Sequence, residues 1–237
     1  MKNILKNKNI LVIGATGSIG YEICKELKNY ECNIIASGTK TSKLKKLKKI
    51  FNNCTSKLDI LKCNLNNERD VNNMILKIRN RYNINAIINC AGIFVNESIE
   101  KVSTNKLNEA FNINIKSPFR IIKESIKHMK RKKWGRVVNI GSSSSYQGFN
   151  NSSVYCATKH AMLGFTKALH QELKKYNIRC YCVSPSSTKG AMGLVTKNQD
   201  YETFLNPEDV AKYIIFIISF DSNIMSEELF LNRMIIK

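Results

Sequence analysis

The stretch Ile10-Leu11-Val12-Ile13-Gly14-Ala15-Thr16-Gly17-Ser18-Ile19-Gly20 decides the fold of this 237-residue chain. It opens with an apolar, mostly β-branched run that predicts a buried strand, and regularly spaced glycines follow. After them, Ile19, Ile23 and Leu27 recur at helical spacing, so the predicted order is strand, glycine turn and helix. Such a turn, with the free N–H groups of the helix N-terminus, can hold the pyrophosphate of a dinucleotide. The alternative is a glycine turn without a ligand.

The rest of the chain alternates apolar strands with segments of helical period, for example Val71, Met74 and Ile78. This alternation predicts an α/β fold, a Rossmann-like doubly wound parallel sheet with helices on both faces in three α/β/α layers. The sequence contains no internal repeat and no linker rich in Pro, Gly or Ser. We therefore expect residues 1–237 to form a single domain.

The segment that follows the second predicted strand bears on the choice of nucleotide. Residues 38–43 read Gly-Thr-Lys-Thr-Ser-Lys and contain no Asp or Glu, the residues that bind the ribose 2′-hydroxyl of NAD. Because Lys40 and Lys43 would attract a 2′-phosphate, we expect NADP(H) in preference to NAD(H). The alternative is that residues 40–49 are the solvated face of a helix with Leu44 and Leu47 directed inward.

Tyr155 and Lys159 stand four residues apart in a segment whose alanines favour a helix, which places both side chains on one face. A fixed ammonium group beside a phenol favours the phenolate and lowers the pKa of the phenol toward the range of general acid/base catalysis. Two common residues at this spacing also occur together by chance, so the pair needs support from other motifs.

That support comes from further motifs, which together resemble the short-chain dehydrogenase/reductase family, most of all its 3-oxoacyl-[acyl-carrier-protein] reductases. They are Asn89-Cys90-Ala91-Gly92, Asn112-Ile113-Asn114 and Gly141-Ser142. Ser142 precedes Tyr155 by 13 residues and follows Asn114 by 28, a spacing similar to that of the family's Asn-Ser-Tyr-Lys tetrad. The resemblance covers nearly the whole chain.

The resemblance implies four catalytic residues, Asn114, Ser142, Tyr155 and Lys159. Tyr155 would exchange a proton with the substrate oxygen, and Lys159 would lower the pKa of Tyr155 and bind the nicotinamide ribose. Ser142 would hold the carbonyl or hydroxyl group, and Asn114 would anchor a proton-relay water. Hydride transfer to a carbonyl leaves an alkoxide, which a positioned acid and a hydrogen-bond donor stabilise. Because residues 143–145 are also serines, the serine role can shift by one or two positions.

The resemblance also implies a set of cofactor-binding residues at the glycine turn, after the predicted strands and on the catalytic helix. They are Gly14, Thr16, Gly17, Ser18, Ile19, Gly20, Thr39, Lys40, Asn64, Leu65, Asn89, Ala91, Gly92, Tyr155, Lys159, Pro185, Ser187 and Thr188. We expect no metal site, because the histidines at positions 128, 160 and 170 form no ligand pattern.

Two positions and the length of one segment depart from the family pattern. Ser18 stands where the compact branch of the family has its second glycine, whereas Gly17 matches the spacing of the extended branch. Gly190 takes the place of a threonine that touches the nicotinamide carboxamide, and Thr188 could substitute for it. Only about twenty residues separate Pro185 from the helix signal Asn206-Pro207, so the segment that covers the substrate is short.

The formal net charge of +20 raises the question of an acidic partner. The lysines are dispersed and no basic strip is interleaved with aromatic residues, so we expect no nucleic-acid partner. One cluster, formed by Lys127, Lys130, Arg131, Lys132 and Lys133, could dock an acidic acyl carrier protein near the site entrance. The alternative is that these residues form a solvated helix end, where positive charges interact favourably with the helix dipole.

We expect a cytoplasmic protein with no membrane contact. No apolar run approaches a bilayer-spanning length, and the first strand begins too early to leave room for a signal peptide. The eight cysteines show no Cys-x-x-Cys spacing and suggest reduced thiols. Residues 226–233 resemble the last strand of the family, whose edge helps relatives to assemble, and this implies a homodimer or homotetramer.

The sequence thus favours an NADP(H)-dependent oxidoreductase that reduces a carbonyl to a secondary alcohol, or catalyses the reverse reaction. The favoured substrate is a 3-oxoacyl thioester, which would imply a role in fatty acid biosynthesis. A sugar, polyol or nucleotide-sugar ketone is the alternative within the same class. A non-catalytic NADP-binding regulator and a nucleic-acid-binding protein are the alternatives from other classes.

Overall fold

The computed structural model describes residues 3–195 and 199–234. Within these ranges seven strands form one sheet in which every pairing is parallel. In chain order they are β1 (Asn9–Ile13), β2 (Asn33–Gly38), β3 (Lys57–Lys62), β4 (Ala86–Asn89), β5 (Gly135–Ile140), β6 (Ile178–Pro185) and β7 (Glu228–Leu231). Their order across the sheet is β3-β2-β1-β4-β5-β6-β7, which confirms the predicted doubly wound α/β fold.

Helices cover both faces of the sheet. They are α1 (Ser18–Leu27), α2 (Thr41–Lys49), α3 (Glu68–Asn80), α4 (Thr104–Phe111), α5 (Ser117–Lys132), α6 (Ser153–Leu173) and α7 (Pro207–Ile218). Buried side chains of α1, α2 and α7 form one core with Ile10 and Val12 of β1. Leu11 and Ile13, which alternate with them along β1, share the second core with α3, α5 and α6. The three layers follow from this alternation.

Local sequence signals explain where several helices begin. The Asn67 side chain accepts a hydrogen bond from the Asp70 N–H (3.0 Å) ahead of α3, and Ser103 does the same for Lys106 ahead of α4. Helix α7 begins at Pro207, as the Asn206-Pro207 signal predicts. A π-helical turn, Asn112–Lys116, joins α4 to α5.

The chain reverses its winding direction at β1, which pairs with β2 on one side and β4 on the other. In open parallel sheets, ligands bind beyond the carboxyl ends of the strands at such a switch point. No helix in the two described ranges is long and apolar enough to cross a bilayer. The expectation of a single domain over residues 1–237 includes positions outside these ranges and stays a prediction.

The basic cluster at Lys127–Lys133 lies at the wrong end of α5 for the predicted role at the site entrance. Helix α5 runs antiparallel to the strands, because it connects the carboxyl end of β4 to the amino end of β5. Its 16 residues place the cluster about 24 Å from Asn114, at the amino edge of the sheet. The cluster therefore does not border the site of its own chain.

Candidate active site

The glycine turn between β1 and α1 has no room for larger residues. Gly14 has a φ of 85°, and a Cβ there would lie 2.7 Å from the Ala91 nitrogen. A Cβ on Gly20 would lie 2.4 Å from the Gly14 carbonyl oxygen. Helix α1 begins at Ser18, and Gly17 before it supplies no side-chain cap. The turn is a close-fitting cradle whose helix N–H groups can receive phosphate, and the residues present fit a dinucleotide.

The residues predicted to choose between NADP(H) and NAD(H) lie at and after the end of β2. Thr39, Lys40 and Lys43 are exposed, and the Thr16 side chain packs against Gly38, where a Cβ would approach its Oγ1 to 2.7 Å. The predicted residues of the turn and of β2 therefore come together. Lys62, which no sequence motif singles out, pairs in register with Gly38 and is exposed. Its position depends on the pairing of β2 with β3, which a single sequence does not reveal.

Asn64 and Leu65 follow β3. The Asn64 N–H donates to Asp70 Oδ2 (2.9 Å), and its Oδ1 accepts from the Asn66 N–H (3.0 Å). Leu65 is buried, and its carbonyl accepts a hydrogen bond from Ser117 Oγ (2.6 Å). The Asn64 side-chain oxygen is thus engaged in its own turn, and its amide nitrogen is the group with which it could contact an adenine ring.

The end of β4 connects the glycine turn with the predicted tetrad. Asn89 is buried, and its Oδ1 has no hydrogen-bond partner within the described residues. The Cys90 N–H donates to the Ile13 carbonyl (2.9 Å), which ties β4 to β1. A Cβ on Gly92 would lie 3.3 Å from Asn114 Oδ1 and 3.8 Å from Lys159 Nζ. Ala91 and Gly92 therefore lie between the cradle and the catalytic candidates.

The Asn114 side chain is buried in the π-helical turn between α4 and α5. Its Oδ1 accepts from the Ile93 N–H (2.9 Å), and its Nδ2 donates to the Ile93 carbonyl (3.1 Å) and to Thr158 Oγ1 (3.0 Å). Both amide protons are therefore used, and a second lone pair on Oδ1 remains to accept a hydrogen bond. Asn114 holds the loop after β4 against α6 through these contacts.

Tyr155 and Lys159 lie on the first turns of α6, and both side chains are buried. Lys159 Nζ donates to the Ile140 carbonyl at the end of β5 (2.8 Å) and lies 5.6 Å from the centre of the Tyr155 ring. Phe94 packs edge-on against that ring, with 4.8 Å between the ring centres. The Tyr155 hydroxyl lies 3.9 Å from Met192 Sδ.

The electrostatics of this pair differ from the expectation of a lowered tyrosine pKa. Burial raises the pKa of Tyr155 to about 12, and the Ser142 hydroxyl that faces it opposes the rise. Burial lowers the pKa of Lys159 to about 8. The expectation is wrong for this arrangement, because burial is the largest influence on the pKa of each group and Lys159 is directed to the Ile140 carbonyl.

The serines that follow β5 differ in what their side chains contact. Ser142 Oγ accepts from the Ser144 N–H (3.1 Å), and the Ser142 N–H donates to Ser145 Oγ (3.2 Å). Ser144 and Ser145 are buried in this turn, and the Ser145 hydroxyl is engaged by the Ser142 N–H. Ser142 is the serine that faces Tyr155, which favours it for the predicted serine role.

The segment after β6 approaches the glycine turn. Pro185 ends the strand, Ser187 Oγ donates to Gln199 Oε1 (2.8 Å), and Thr188 Oγ1 donates to the Ser186 carbonyl (3.0 Å). Gly190 lies against Ser18, because a Cβ there would come within 2.0 Å of Ser18 Oγ. The Thr188 hydroxyl is therefore engaged within its own segment. Within the described ranges, no group of three or more His, Cys, Asp or Glu could hold a metal ion.

The family of the chain follows from comparison with known sequences. A sequence model described as short chain dehydrogenase matches residues 8–201. The chain belongs to this family and is an NAD(P)-dependent short-chain dehydrogenase/reductase. It is 31% identical over 221 residues to the 3-oxoacyl-[acyl-carrier-protein] reductase of Rickettsia typhi, a match that covers 90% of this chain and 89% of that protein.

Solved structures share the fold. A 3-oxoacyl-[acyl-carrier protein] reductase from Brucella melitensis gives a TM-score of 0.86 at 20% identity, over 97% of this chain and 91% of that one. A short-chain dehydrogenase from Sphingobium yanoikuyae, solved in complex with NADPH, gives a TM-score of 0.84 at 18% identity, over 95% and 87% of the two chains. These likenesses concern the fold.

Proposed function

We propose that this oxidoreductase uses NADP(H) to reduce a carbonyl to a secondary alcohol, with Tyr155 as the proton donor. The observation that carries the proposal is the convergence of Tyr155, Lys159, Ser142 and Asn114 beside the glycine cradle, at the carboxyl edge of the sheet. Their sequence spacing supports the same assignment. The reverse oxidation would use the same groups with the proton moving the other way.

The cofactor would lie along the residues that the family resemblance implies. Its pyrophosphate would meet the N–H groups at the start of α1, and Lys40, Lys43 and Lys62 would surround a 2′-phosphate. The absence of an acid in residues 38–43 supports NADP(H) over NAD(H), as does a structural neighbour described in complex with NADPH. When bound, the nicotinamide supplies or accepts the hydride.

The side chains of this chain would bind, orient and protonate the substrate. Ser142 would hold the substrate oxygen and Tyr155 would donate its proton to that oxygen as charge develops there. Lys159, with its pKa lowered to about 8, remains largely charged at neutral pH and would favour the phenolate that is left. Asn114 would hold the loop after β4 and accept a hydrogen bond from a relay water.

A 3-oxoacyl thioester is the substrate class that we favour. Curated relatives from Rickettsia typhi and Aquifex aeolicus carry that activity in their names. Apolar side chains also lie against Tyr155, since Phe94 packs on its ring and Met192 Sδ lies 3.9 Å from its hydroxyl. Such a wall suits an acyl chain better than a polyhydroxylated sugar. A sugar, polyol or nucleotide-sugar ketone remains the alternative, which the short segment between Pro185 and Asn206 would permit.

The test is the decay of nicotinamide absorbance with purified protein, NADPH or NADH, and two panels of carbonyls. One panel holds short 3-oxoacyl thioesters and the other holds sugar-type ketones. We expect consumption with the thioesters and a preference for NADPH. Turnover of sugar-type ketones alone would contradict the acyl assignment. Tight NADPH binding with no turnover on either panel would support a non-catalytic regulator instead.

We also propose that the chain assembles as a homodimer or homotetramer. Tyr213 and Phe216 on α7 and Phe230 on the edge strand β7 are half exposed, and Phe230 packs on Tyr146 with 5.3 Å between ring centres. Apolar side chains on an edge strand and a neighbouring helix are typical of an interface between copies. A carrier protein bound at the basic cluster would then have to serve the site of a neighbouring subunit.

A reducing compartment such as the cytoplasm is our proposal for the location. All eight cysteines are free, and six of them are buried. Eight cysteines remain unpaired when the surroundings are reducing. Labelling with a thiol reagent after unfolding should detect eight thiols in protein isolated from the native cell, and paired cysteines would contradict the proposal.

A further inference from the structure

A tight turn after β6 lies over the Tyr155 hydroxyl. The Leu194 N–H donates to the Gly190 carbonyl (3.0 Å), which closes the turn formed by residues 190–194. Met192 projects from this turn, and its sulfur lies 3.9 Å from the Tyr155 hydroxyl oxygen. The Met192 side chain is nevertheless 43% exposed, so one end of it faces solvent while the other covers the hydroxyl.

Neighbouring backbone holds the turn in this place. The Lys189 N–H donates to the Leu205 carbonyl (2.9 Å), and the Gly190 N–H donates to the Tyr201 hydroxyl (2.9 Å). On the opposite side, Gly190 has a φ of 142° and fits against Ser18 only because it lacks a Cβ. The turn is thus fixed between the cofactor cradle and Tyr201. The Met192 side chain is the adaptable part, since methionine has three rotatable bonds.

The thioether lies where a substrate would have to bind. A carbonyl oxygen that receives the Tyr155 proton must come within about 3 Å of the hydroxyl oxygen. Met192 Sδ lies in the space that this carbonyl oxygen would enter. Because a thioether is only a weak hydrogen-bond acceptor, it is a poor substitute for the carbonyl oxygen as a partner of the hydroxyl. The other groups around the hydroxyl are Ser142, Cys156 and the more distant Lys159. Removal of the thioether would therefore admit water to Tyr155.

We propose that Met192 is a gate and a specificity-determining residue at Tyr155. In the absence of substrate its side chain covers the hydroxyl and excludes water. It gives way to carbonyl compounds whose flanking groups fit the space that the thioether leaves. The choice of substrates rests on the proposed reductase function, whereas the cover over Tyr155 does not.

The cover is tested by the near-ultraviolet phenolate absorbance of Tyr155, taken as the difference between each protein and its Tyr155→Phe counterpart. Because burial raises the pKa of Tyr155, Met192→Ala should move this titration to lower pH. Met192→Leu keeps the cover and should leave the titration near that of the wild type. Leu194→Ala is the matched control, since Leu194 lies in the same turn with 69% exposure. An unchanged titration in Met192→Ala, or an equal shift in Leu194→Ala, would overturn the proposal.

The selectivity is tested by kcat/KM for straight-chain and branched carbonyl substrates. We expect Met192→Ala to raise the ratio of branched to straight-chain substrates about tenfold, in line with the effect of a methylene or two in an apolar pocket. Met192→Leu and Leu194→Ala should leave the ratio unchanged. An unchanged ratio in Met192→Ala would show that Met192 does not determine substrate specificity. The phenolate titration needs no turnover, so it tests the cover over Tyr155 even if the proposed reductase function is wrong.

Discussion

At the scale of the residue, the buried ammonium of Lys159 is an energetically costly feature of the site. Burial lowers its pKa from 10.5 to about 8, so the folded protein binds this proton less well than the unfolded chain does. The penalty is complete below pH 8 and disappears as pH rises from about 8 to 10.5. Stability should therefore increase across that window. The cost makes sense if the charge is needed beside Tyr155.

A Lys159→Met variant tests this cost. It should be more stable than the wild type at pH 7 by up to about 3 kcal/mol, less the hydrogen bond to the Ile140 carbonyl, and it should be inactive. Urea unfolding at several pH values would measure the difference, which should shrink toward pH 10.5. Equal stability of the two proteins at every pH would mean that the ammonium carries no burial penalty.

At the scale of the element, the glycine turn before α1 and the glycine within α6 make a matched pair. Gly14→Ala places a Cβ 2.7 Å from the Ala91 nitrogen at a positive φ, so we expect a loss of about 2–4 kcal/mol and of NADPH binding. Gly164→Ala meets no atom within 4 Å in the middle of α6 and should stabilise the protein by about 0.5–1 kcal/mol. Thermal unfolding compares them. A harmless Gly14→Ala would contradict the close-fitting cradle.

The ends of β2 and β3 give a second prediction at this scale. Lys40→Ala and Lys62→Ala should each weaken NADPH binding about tenfold at low salt and leave NADH binding unchanged, because both lie where a 2′-phosphate is expected. Lys49→Ala, at the opposite end of α2, is the control. Fluorescence titration measures both nucleotides. Equal losses for NADPH and NADH would argue against a 2′-phosphate contact.

How far the sequence predicts the structure differs between local and long-range features. The strand, turn and helix at residues 10–27 depend on local periodicity and glycines, and the start of α7 depends on Pro207; both are found as predicted. Lys62 and Met192 gain their positions from strand pairing and from a turn folded back onto Tyr155, which no local pattern encodes. The predicted lowering of the Tyr155 pKa was wrong for a similar reason, because desolvation depends on which side chains cover the hydroxyl.

At the scale of the whole molecule, the exposed aromatic residues of α7 and β7 predict an assembly of 27.0 kDa chains. Phe216→Asp with Phe230→Asp should shift the mass measured by light scattering to that of one chain, since a charge buried at an apolar interface is unfavourable. Lys132→Asp, at the amino edge of the sheet, should leave the assembly unchanged. A wild-type protein that is already monomeric would contradict this prediction.

The measurement that tests the central claim most directly is NADPH oxidation by the Tyr155→Phe variant, with the dissociation constant of NADPH determined on the same samples. Tyr176→Phe, a tyrosine beside Lys130 at the opposite edge of the sheet, is the control. If Tyr155 is the proton donor, its variant should lose activity by about 10²–10⁴-fold while NADPH binding stays within a factor of about two. A Tyr155→Phe protein that retains most of its activity would contradict the account.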